Sequence, residues 1–459
     1  MVREFMTQLE TSVRGKLITP DSDEYEAARK VYNGMINKSP KLIVRCADTA
    51  DVIATVKYAK EENLLLAVRG GGHSGAGLAM CDGGIVADLS AMKGIRVDPR
   101  SRTVRVEPGC TQGEVDHATH AFGLAVPSGT VAHTGIAGLT LGGGHGYIVR
   151  KYGLSLDNLL EADIVLADGR LVTANKENYS DLFWAIRGGG GNFGVVTSFL
   201  FQAHPVSTVV GGPMLWNLDR AGEVMRWYRE FMVNAPDDVY GFFAFMNVPP
   251  GSPFPEHLHR QNMCGIIWCF CGELDKAEAT LQQIRDRLTP AFDYVNPMPF
   301  PQLQSLFDPL LPTGMQWYWK GDFFTELTDE AIAQHIKHGS QLPTQLSTMH
   351  FYPVDGAANR VGKNDTAFSY REAKWSMIIV GIDPDPANAE KMTAWAREYW
   401  RALHPYSCGG AYVNFMMEEG HERIKATYRD NYDRLVAIKT KYDPTNLFRV
   451  NQNIKPVTV

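Results

Sequence analysis

The chain has 459 residues, 44% of them hydrophobic and 21% charged, with a net charge of −6. That length supplies a large core and suits two domains, or one domain carrying an inserted second. The acidic balance argues against a nucleic-acid partner, and no apolar run long enough for a membrane span or a secretory signal occurs, so a soluble cytoplasmic protein is expected. Seven cysteines, an odd number spread over a long chain, suit free, mostly buried thiols rather than a disulfide framework.

In chain order, β-branched runs predict strands at "KLIVRC", "LLLAV", "GIVADL", "TVRVEPG", "EADIVLADGRLVTA" and "GVVTSFLF", with a hairpin turn at "ADGR". Helical patterns interrupt them at "TADVIATVKYAKEENL" and "TQGEVDHATHAFG". Glycine clusters punctuate the same region in "RGGGHSG", "GLTLGGGHGY" and "RGGGGNFG". From about residue 206 glycine thins and aromatics rise. Strand-like runs ("DVYGFFAFMNV", "GIIWCFCG", "QWYWKGDFF", "LSTMHFYPV", "KWSMIIVGI") alternate with four helical stretches, so an antiparallel sheet under a helical layer is expected. "NVPPGSPFPEHLH" reads as a loop within it. The tail starts with one amphipathic helix carrying Ile424, Tyr428 and Leu435 on one side and ended by Pro444. The fold class is α+β.

Gly70-x-Gly72-x-x-Gly75 and Gly189-x-Gly191-x-x-Gly194 match the dinucleotide fingerprint. That fingerprint needs a helix immediately afterwards, and both matches lead into loop or strand patterns. One such cluster would be an ordinary turn. Three in one region, with no Walker lysine, point to a long phosphate-bearing ligand wrapped by several loops, because peptides without Cβ let backbone N–H groups approach phosphate. His73, flanked by glycine, offers a nucleophilic nitrogen, a metal ligand or a proton shuttle. His117 and His120, His257 and His259, and Cys264, Cys269 and Cys271 lack metal-ligand spacing, so no metal is expected.

"AVRGGGHSGAG" resembles the histidine-bearing motif of FAD-linked oxidases of the vanillyl-alcohol oxidase (PCMH-type) superfamily. "YDPTNLFRVNQNI" resembles the C-terminal berberine-bridge motif. The resemblance covers residues 41–205 and 410–455, with patches such as "YWKGDFF" and "TAFSYRE" between. It implies a PCMH-type FAD-binding domain of two α/β subdomains over 1–205, a substrate domain over 206–409, and a segment over 410–459 that completes the FAD domain. It also implies that His73 is bonded to the 8α-methyl of FAD. Many relatives add a cysteine link in a segment matched here by "PSGTVAHTGIAG", where Val131 holds the cysteine position; Cys81 and Cys110 lie outside it. Attachment through His73 alone is therefore expected. By the same resemblance Arg69, Gly70, Gly71, Gly72 and Ser74 wrap the pyrophosphate. Ser128, Gly129, Thr134, Gly135, Gly138, Gly142, Gly143 and Gly144 run past ring and phosphates. Asp157, Asn158, Gly194, Val195 and Val196 border the adenine half, and Tyr412, Asn414, Asn451 and Asn453 close the ring.

Flavin takes a hydride, so the protein must place a substrate C–H over the ring and remove a proton beside it. If "LSTMHFYPV" is a strand, Thr348, His350 and Tyr352 share one face and Met349 and Phe351 the other. His350 and Tyr352 are the first candidates for the base, with a purely structural histidine as the alternative, and Tyr412 is the third. Phe415 replaces the second tyrosine of the family's "AYxNY" segment and cannot take a proton. His133 and His145 are further candidates for substrate contact. In "QWYWKGDFF" either face could see the flavin, and Lys320 and Asp322 could simply be solvated. The small Thr134, in the segment that governs oxygen access in the family, favours an oxidase making hydrogen peroxide over a dehydrogenase. Alcohol substrates rank ahead of a cyclic amine; a flavoprotein without turnover is the third reading. Oligomeric state is left open by the sequence.

Overall fold

The computed structural model describes residues 9–457. Three sheets carry the architecture. Strands Lys16–Ile18, Leu42–Arg45, Ile85–Asp88 and Leu66–Arg69 lie in that spatial order, the last three parallel. Parallel neighbours need a crossover, and helix Thr49–Glu61 supplies one, capped by the Asp48 carboxylate accepting from the Ala50 and Asp51 amides. A second, antiparallel sheet orders Ile95–Asp98, Thr103–Val106, Val195–Gln202, Leu159–Val165 and Leu171–Asn175. The "ADGR" step is its hairpin turn, with Gly169 at φ +80°.

The third sheet has eight antiparallel strands. Its central path runs Thr208–Asn217, Asn262–Phe270, Val239–Asn247, Thr348–Pro353, Trp375–Asp383 and Gln316–Phe324. Alternation sorts its side chains. Trp216, Phe243, Trp268, Met349, Phe351 and Met377 pack under helices Ala221–Asn234, Leu274–Arg287, Asp329–Gly339 and Ala389–Leu403. Phe242, Ile267, Trp317, Trp319, Tyr352 and Ile378 face the other way, towards Tyr147, Leu154 and Tyr412 of the first half and tail. Each fully buried large apolar side chain contributes about 1.5–3 kcal/mol.

Two expectations need correction. The first strand of this sheet, Thr208–Asn217, is not apparent in the sequence pattern because Gly211, Gly212 and Pro213 interrupt it. Gly212 has φ +134°, and a Cβ there would stand 2.2 Å from the Tyr294 carbonyl, so the strand bends where Val295 and its neighbours cross. The tail forms two helices rather than one, His421–Tyr428 and Tyr432–Tyr442. Between them Asn431 turns inward and its Nδ2 donates to the carbonyls of Lys363, Thr366 and Ala367, a demand that a continuous helix would not meet.

The tail returns to the first half of the chain. Ile424, Leu435, Ile438 and Ile454 share an apolar cluster with Val104, Ile164, Phe193 and Phe199. At its edge Lys439, fully buried, donates to Asp443 (2.6 Å) and to the carbonyls of Asn192 (2.7 Å) and Phe448 (3.0 Å). Asn192 Oδ1 in turn accepts from the Ile454 amide. The third glycine cluster and the C-terminal motif are thereby fastened together. Removing one member of a buried pair leaves an unpaired charge, which costs about 3–5 kcal/mol. Lys439→Met is expected to lower unfolding free energy by about that much, read as a lower urea midpoint with an unchanged slope.

Candidate active site

The glycine clusters converge. A Cβ on Gly71 would stand 2.5 Å from the Gly135 Cα, and one on Gly135 would stand 2.5 Å from the Gly71 nitrogen, so two loops touch backbone to backbone. Gly72 sits at φ +70°, and a Cβ on Gly75 would run into the Trp319 ring. Together these loops wall a cavity of about 470 Å³ lined by Gly70, Gly71, Gly72, His73, Ser74, Gly129, Thr134, Gly135 and Gly138. Gly194, Val195 and Val196 line it from the third cluster, and Tyr412, Asn414 and Asn451 from the tail. His350, Tyr352, Trp317, Trp319, Phe242 and Ile378 line it from the large sheet. The face of "QWYWKGDFF" that sees the cavity is thus the tryptophan face. Lys320 and Asp322 are not solvated: Lys320 pairs with Glu419, and Asp322 with Arg423 and His404, tying the tail to the sheet's far side.

His73 is held on two sides. Tyr32 stacks on its ring at 3.8 Å and 16°, and Trp317 stacks on Tyr32 in turn. His73 Nε2 lies 3.1 Å from His133 Nδ1, leaving Nδ1 as the nitrogen with a lone pair or proton to offer elsewhere. Burial, with a smaller contribution from His133, pushes the His73 pKa down to about 3, so the ring is neutral. Beside it Asn33 stitches the loop to the large sheet, its Nδ2 donating to the carbonyls of Gly75 (2.7 Å) and Trp317 (3.0 Å). Tyr32 and Asn33 escaped the sequence reading; "VYNG" carries no motif, and only the stacking and the cross-chain hydrogen bonds mark them.

On the large-sheet side His350 Nδ1 and the Tyr352 hydroxyl are 2.6 Å apart. Burial pushes His350 down to about 4 and raises Tyr352 above the usual phenol range. The pair is therefore a neutral imidazole beside a neutral phenol, able to take one proton from a bound hydroxyl and share it. Tyr412 accepts from the Gly144 amide (2.7 Å) and from Asn414 Nδ2 (2.8 Å), and burial pushes it up to about 12. His145 packs against Tyr352, Tyr412 and Phe415, and both its ring nitrogens are buried without a partner.

Several residues named from the family resemblance stand behind the wall instead of lining it. Arg69 donates to the Ala28 carbonyl. Ser128 accepts from Gln304. Cβ atoms on Gly142, Gly143 and Gly144 would collide with Asn414, Tyr412 and Ser155, so these glycines admit the tail and a tight turn. Asp157 makes a two-pronged, buried pair with Arg371 at 2.7 and 2.9 Å. Asn158 binds the carbonyls of Tyr152 and Leu154 and meets His204 at 2.6 Å. Asn453 lies off the wall with its Oδ1 buried and unpartnered.

These residues fit a large, flat, phosphate-bearing group. The walls are glycine-rich, and nothing stands within 4 Å of where a Gly138 Cβ would be. The unpartnered nitrogens of His145, Trp317 and Trp319 are polar atoms awaiting partners. Comparison with known proteins agrees. Residues 40–175 match a family model for an FAD binding domain, and residues 411–455 match one described as berberine and berberine like. An FAD-linked oxidoreductase of Dictyostelium discoideum is 31% identical, covering 97% of this chain and 96% of its own length. The (R)-6-hydroxynicotine oxidase of Paenarthrobacter nicotinovorans is 28% identical over 97% of both chains. The crystal structure of 6-hydroxy-D-nicotine oxidase from Arthrobacter nicotinovorans superposes with a TM-score of 0.86 at 27% identity, covering 97% of this chain and 99% of that one. The chain belongs to the berberine-bridge-like FAD-linked oxidoreductases, with a PCMH-type α+β fold. It is a flavin-dependent oxidoreductase, and FAD is the cofactor its binding domain serves. No helix among the described residues is long and apolar enough to cross a membrane.

Buried neutral histidines make stability pH-dependent. Burial lowers His145 and His335 to about 3, and His204 and His350 to about 4, against about 6.5 in an unfolded chain. Above that value both states are neutral and these groups contribute no slope. Below it the unfolded chain binds more protons, so stability falls until the folded pKa values are reached. Buried Asp116, raised to about 7, acts oppositely, favouring the folded state as pH falls from 7 towards 4. The histidines outnumber it. The thermal midpoint is expected to drop steadily from pH 6.5 to pH 4, measured by calorimetry; a midpoint flat or rising over that range contradicts the burial of these rings as neutral species.

Proposed function

We propose that the protein is an oxidase of alcohols, with FAD tethered through His73 alone. The observation that carries this reading is the His350–Tyr352 pair, 2.6 Å apart in the lining of the cavity that the glycine loops wall. When bound, FAD supplies the two-electron acceptor for the substrate hydride and passes the electrons to dioxygen, giving hydrogen peroxide. The rest is the work of the chain. In this reading the described parts of 1–205 and 410–459 form the cofactor half, and 206–409 the substrate half. Gly70, Gly71, Gly72, Ser74, Gly129, Gly135, Gly138, Gly194, Val195 and Val196 give the cofactor close backbone approach, and Asn414 and Asn451 give it side-chain amides. Tyr412, its two acceptor positions filled, offers its hydroxyl proton to whatever polar edge lies above it. Tyr352 takes the proton of the substrate hydroxyl as its own passes to His350 Nδ1, which burial keeps neutral down to about pH 4. The absence of a cysteine at Val131, in the cavity lining, supports a single tether. Thr134, small and also in the lining, supports access of dioxygen.

The reading is tested by steady-state oxygen uptake with an alcohol substrate: one peroxide should form per oxygen consumed. A positioned proton acceptor contributes about 100-fold or more, so Tyr352→Phe should lower the rate of anaerobic flavin reduction by about that factor with little change in substrate affinity. Thr134→Ile should slow reoxidation by oxygen about tenfold while reduction of an artificial dye continues at the original rate. An enzyme that reduces dye but yields no peroxide is a dehydrogenase, and the oxidase reading fails.

A further inference from the structure

Residues 32–34 join the first glycine loop to the edge of the large sheet, and they precede residue 40, where the FAD binding match begins. The Tyr32 amide donates to the Gly72 carbonyl at 3.1 Å, and the Tyr32 carbonyl accepts from the Gly314 amide at 2.9 Å. The Gly34 amide donates to the Met315 carbonyl at 2.7 Å. A Cβ on Gly34 would stand 2.2 Å from the Gly314 carbonyl oxygen, so the two segments lie backbone against backbone. Buried Asn33 uses all four of its hydrogen-bonding positions. Its Nδ2 donates to the carbonyls of Gly75 and Trp317, and its Oδ1 accepts from the amides of Met35 (3.0 Å) and Trp317 (3.2 Å). The glycine loop and the edge strand Gln316–Phe324 are thus held by one clasp.

Three rings lie on that clasp in the order His73, Tyr32, Trp317. The first pair has its centroids 3.8 Å apart and lies 16° from parallel; the second pair is at 4.6 Å and 29°. Tyr32 is buried, and its hydroxyl donates to the Leu311 carbonyl at 3.3 Å, which anchors the far end of its ring. So flat a stack fixes the plane of the His73 imidazole. The 3.1 Å approach of Nε2 to His133 fixes its rotation within that plane. Together they set the direction of the ring's lone pair.

We propose that Tyr32 and, through it, Trp317 are positioning residues for the attachment of FAD to His73. The inference rests on the reading of His73 as the tether. Attachment forms one bond, between a His73 ring nitrogen and the 8α carbon of the flavin. One C–H bond on that carbon and the N–H bond of the neutral imidazole break. The two protons and two electrons released go to dioxygen, giving hydrogen peroxide. Positive charge gathers on the imidazole as its lone pair is committed, and the face of a phenol ring favours a cation. The stack therefore keeps the lone pair in line and steadies the ring as it reacts. Because Asn33 and Trp317 carry the stack, attachment depends on the large sheet being seated against the glycine loop.

The test uses full-length protein made under riboflavin limitation, then mixed with FAD in air and sampled over time for total bound and acid-stable flavin. An aromatic pair is worth about a tenfold change, so Tyr32→Leu should bind FAD yet attach it about tenfold more slowly. Tyr32→Phe keeps the flat ring and should restore the rate. Trp317→Leu should slow attachment as well, and the double variant should be no slower than Tyr32→Leu, since one residue acts through the other. Tyr32→Met, which fills the space without a flat face, replaces Tyr32→Leu should the latter not fold. Bound flavin that becomes acid-stable at the unaltered rate in Tyr32→Leu overturns the proposal, whatever stability is lost. A double variant slowed by the product of the two single effects also overturns it. Unaltered protein that never holds acid-stable flavin overturns the tether reading itself, and this proposal with it.

Discussion

The backbone contact between Gly71 and Gly135 is the constraint from which the site follows. Two loops can meet at that distance only where neither residue has a side chain. Their meeting sets His73 against His133, and the stack of Tyr32 and Trp317 then fixes the ring from its other face. Any larger residue at either glycine would push the loops apart and separate the histidines. The third glycine cluster reaches the same cavity by another route, held to the tail through Asn192, Lys439 and Asp443.

The large sheet supplies its part of the wall by plain alternation. Met349 and Phe351 sit beneath the helices, while Thr348, His350 and Tyr352 face the cavity. A one-residue change of register would exchange the two sets, burying His350 under helices and offering methionine to a substrate. The apolar packing beneath the helices is thus what keeps the chemical face pointed the right way. Packing and chemistry are two sides of one strand.

Much of this was legible in the sequence, and the misses have physical causes. Glycine clusters mark loops that must approach closely, and periodicity marks the strands and the four helices over the large sheet. The same alternation separates His350 from Phe351 without any structure. The sequence could not say which face of "QWYWKGDFF" looks inward, because both faces turn out to be buried, one against the cavity and one against Glu419 and Arg423. It could not expose Tyr32 and Asn33, whose partners lie far along the chain. It also could not separate glycines that border a ligand from those that border protein: Gly138 faces open space, whereas Gly142 faces Asn414. Asp157 is the plainest case, since an acidic residue near a cofactor motif is equally what a buried arginine such as Arg371 requires.

We propose that the glycine loops deliver FAD to the neutral ring of His73 and to no other residue. Acid precipitation of the purified protein, proteolysis and mass spectrometry of the peptides measure this directly. The account predicts one flavin-bearing peptide, with the modification on His73. Flavin released wholly by acid, or carried on a peptide that lacks His73, contradicts it.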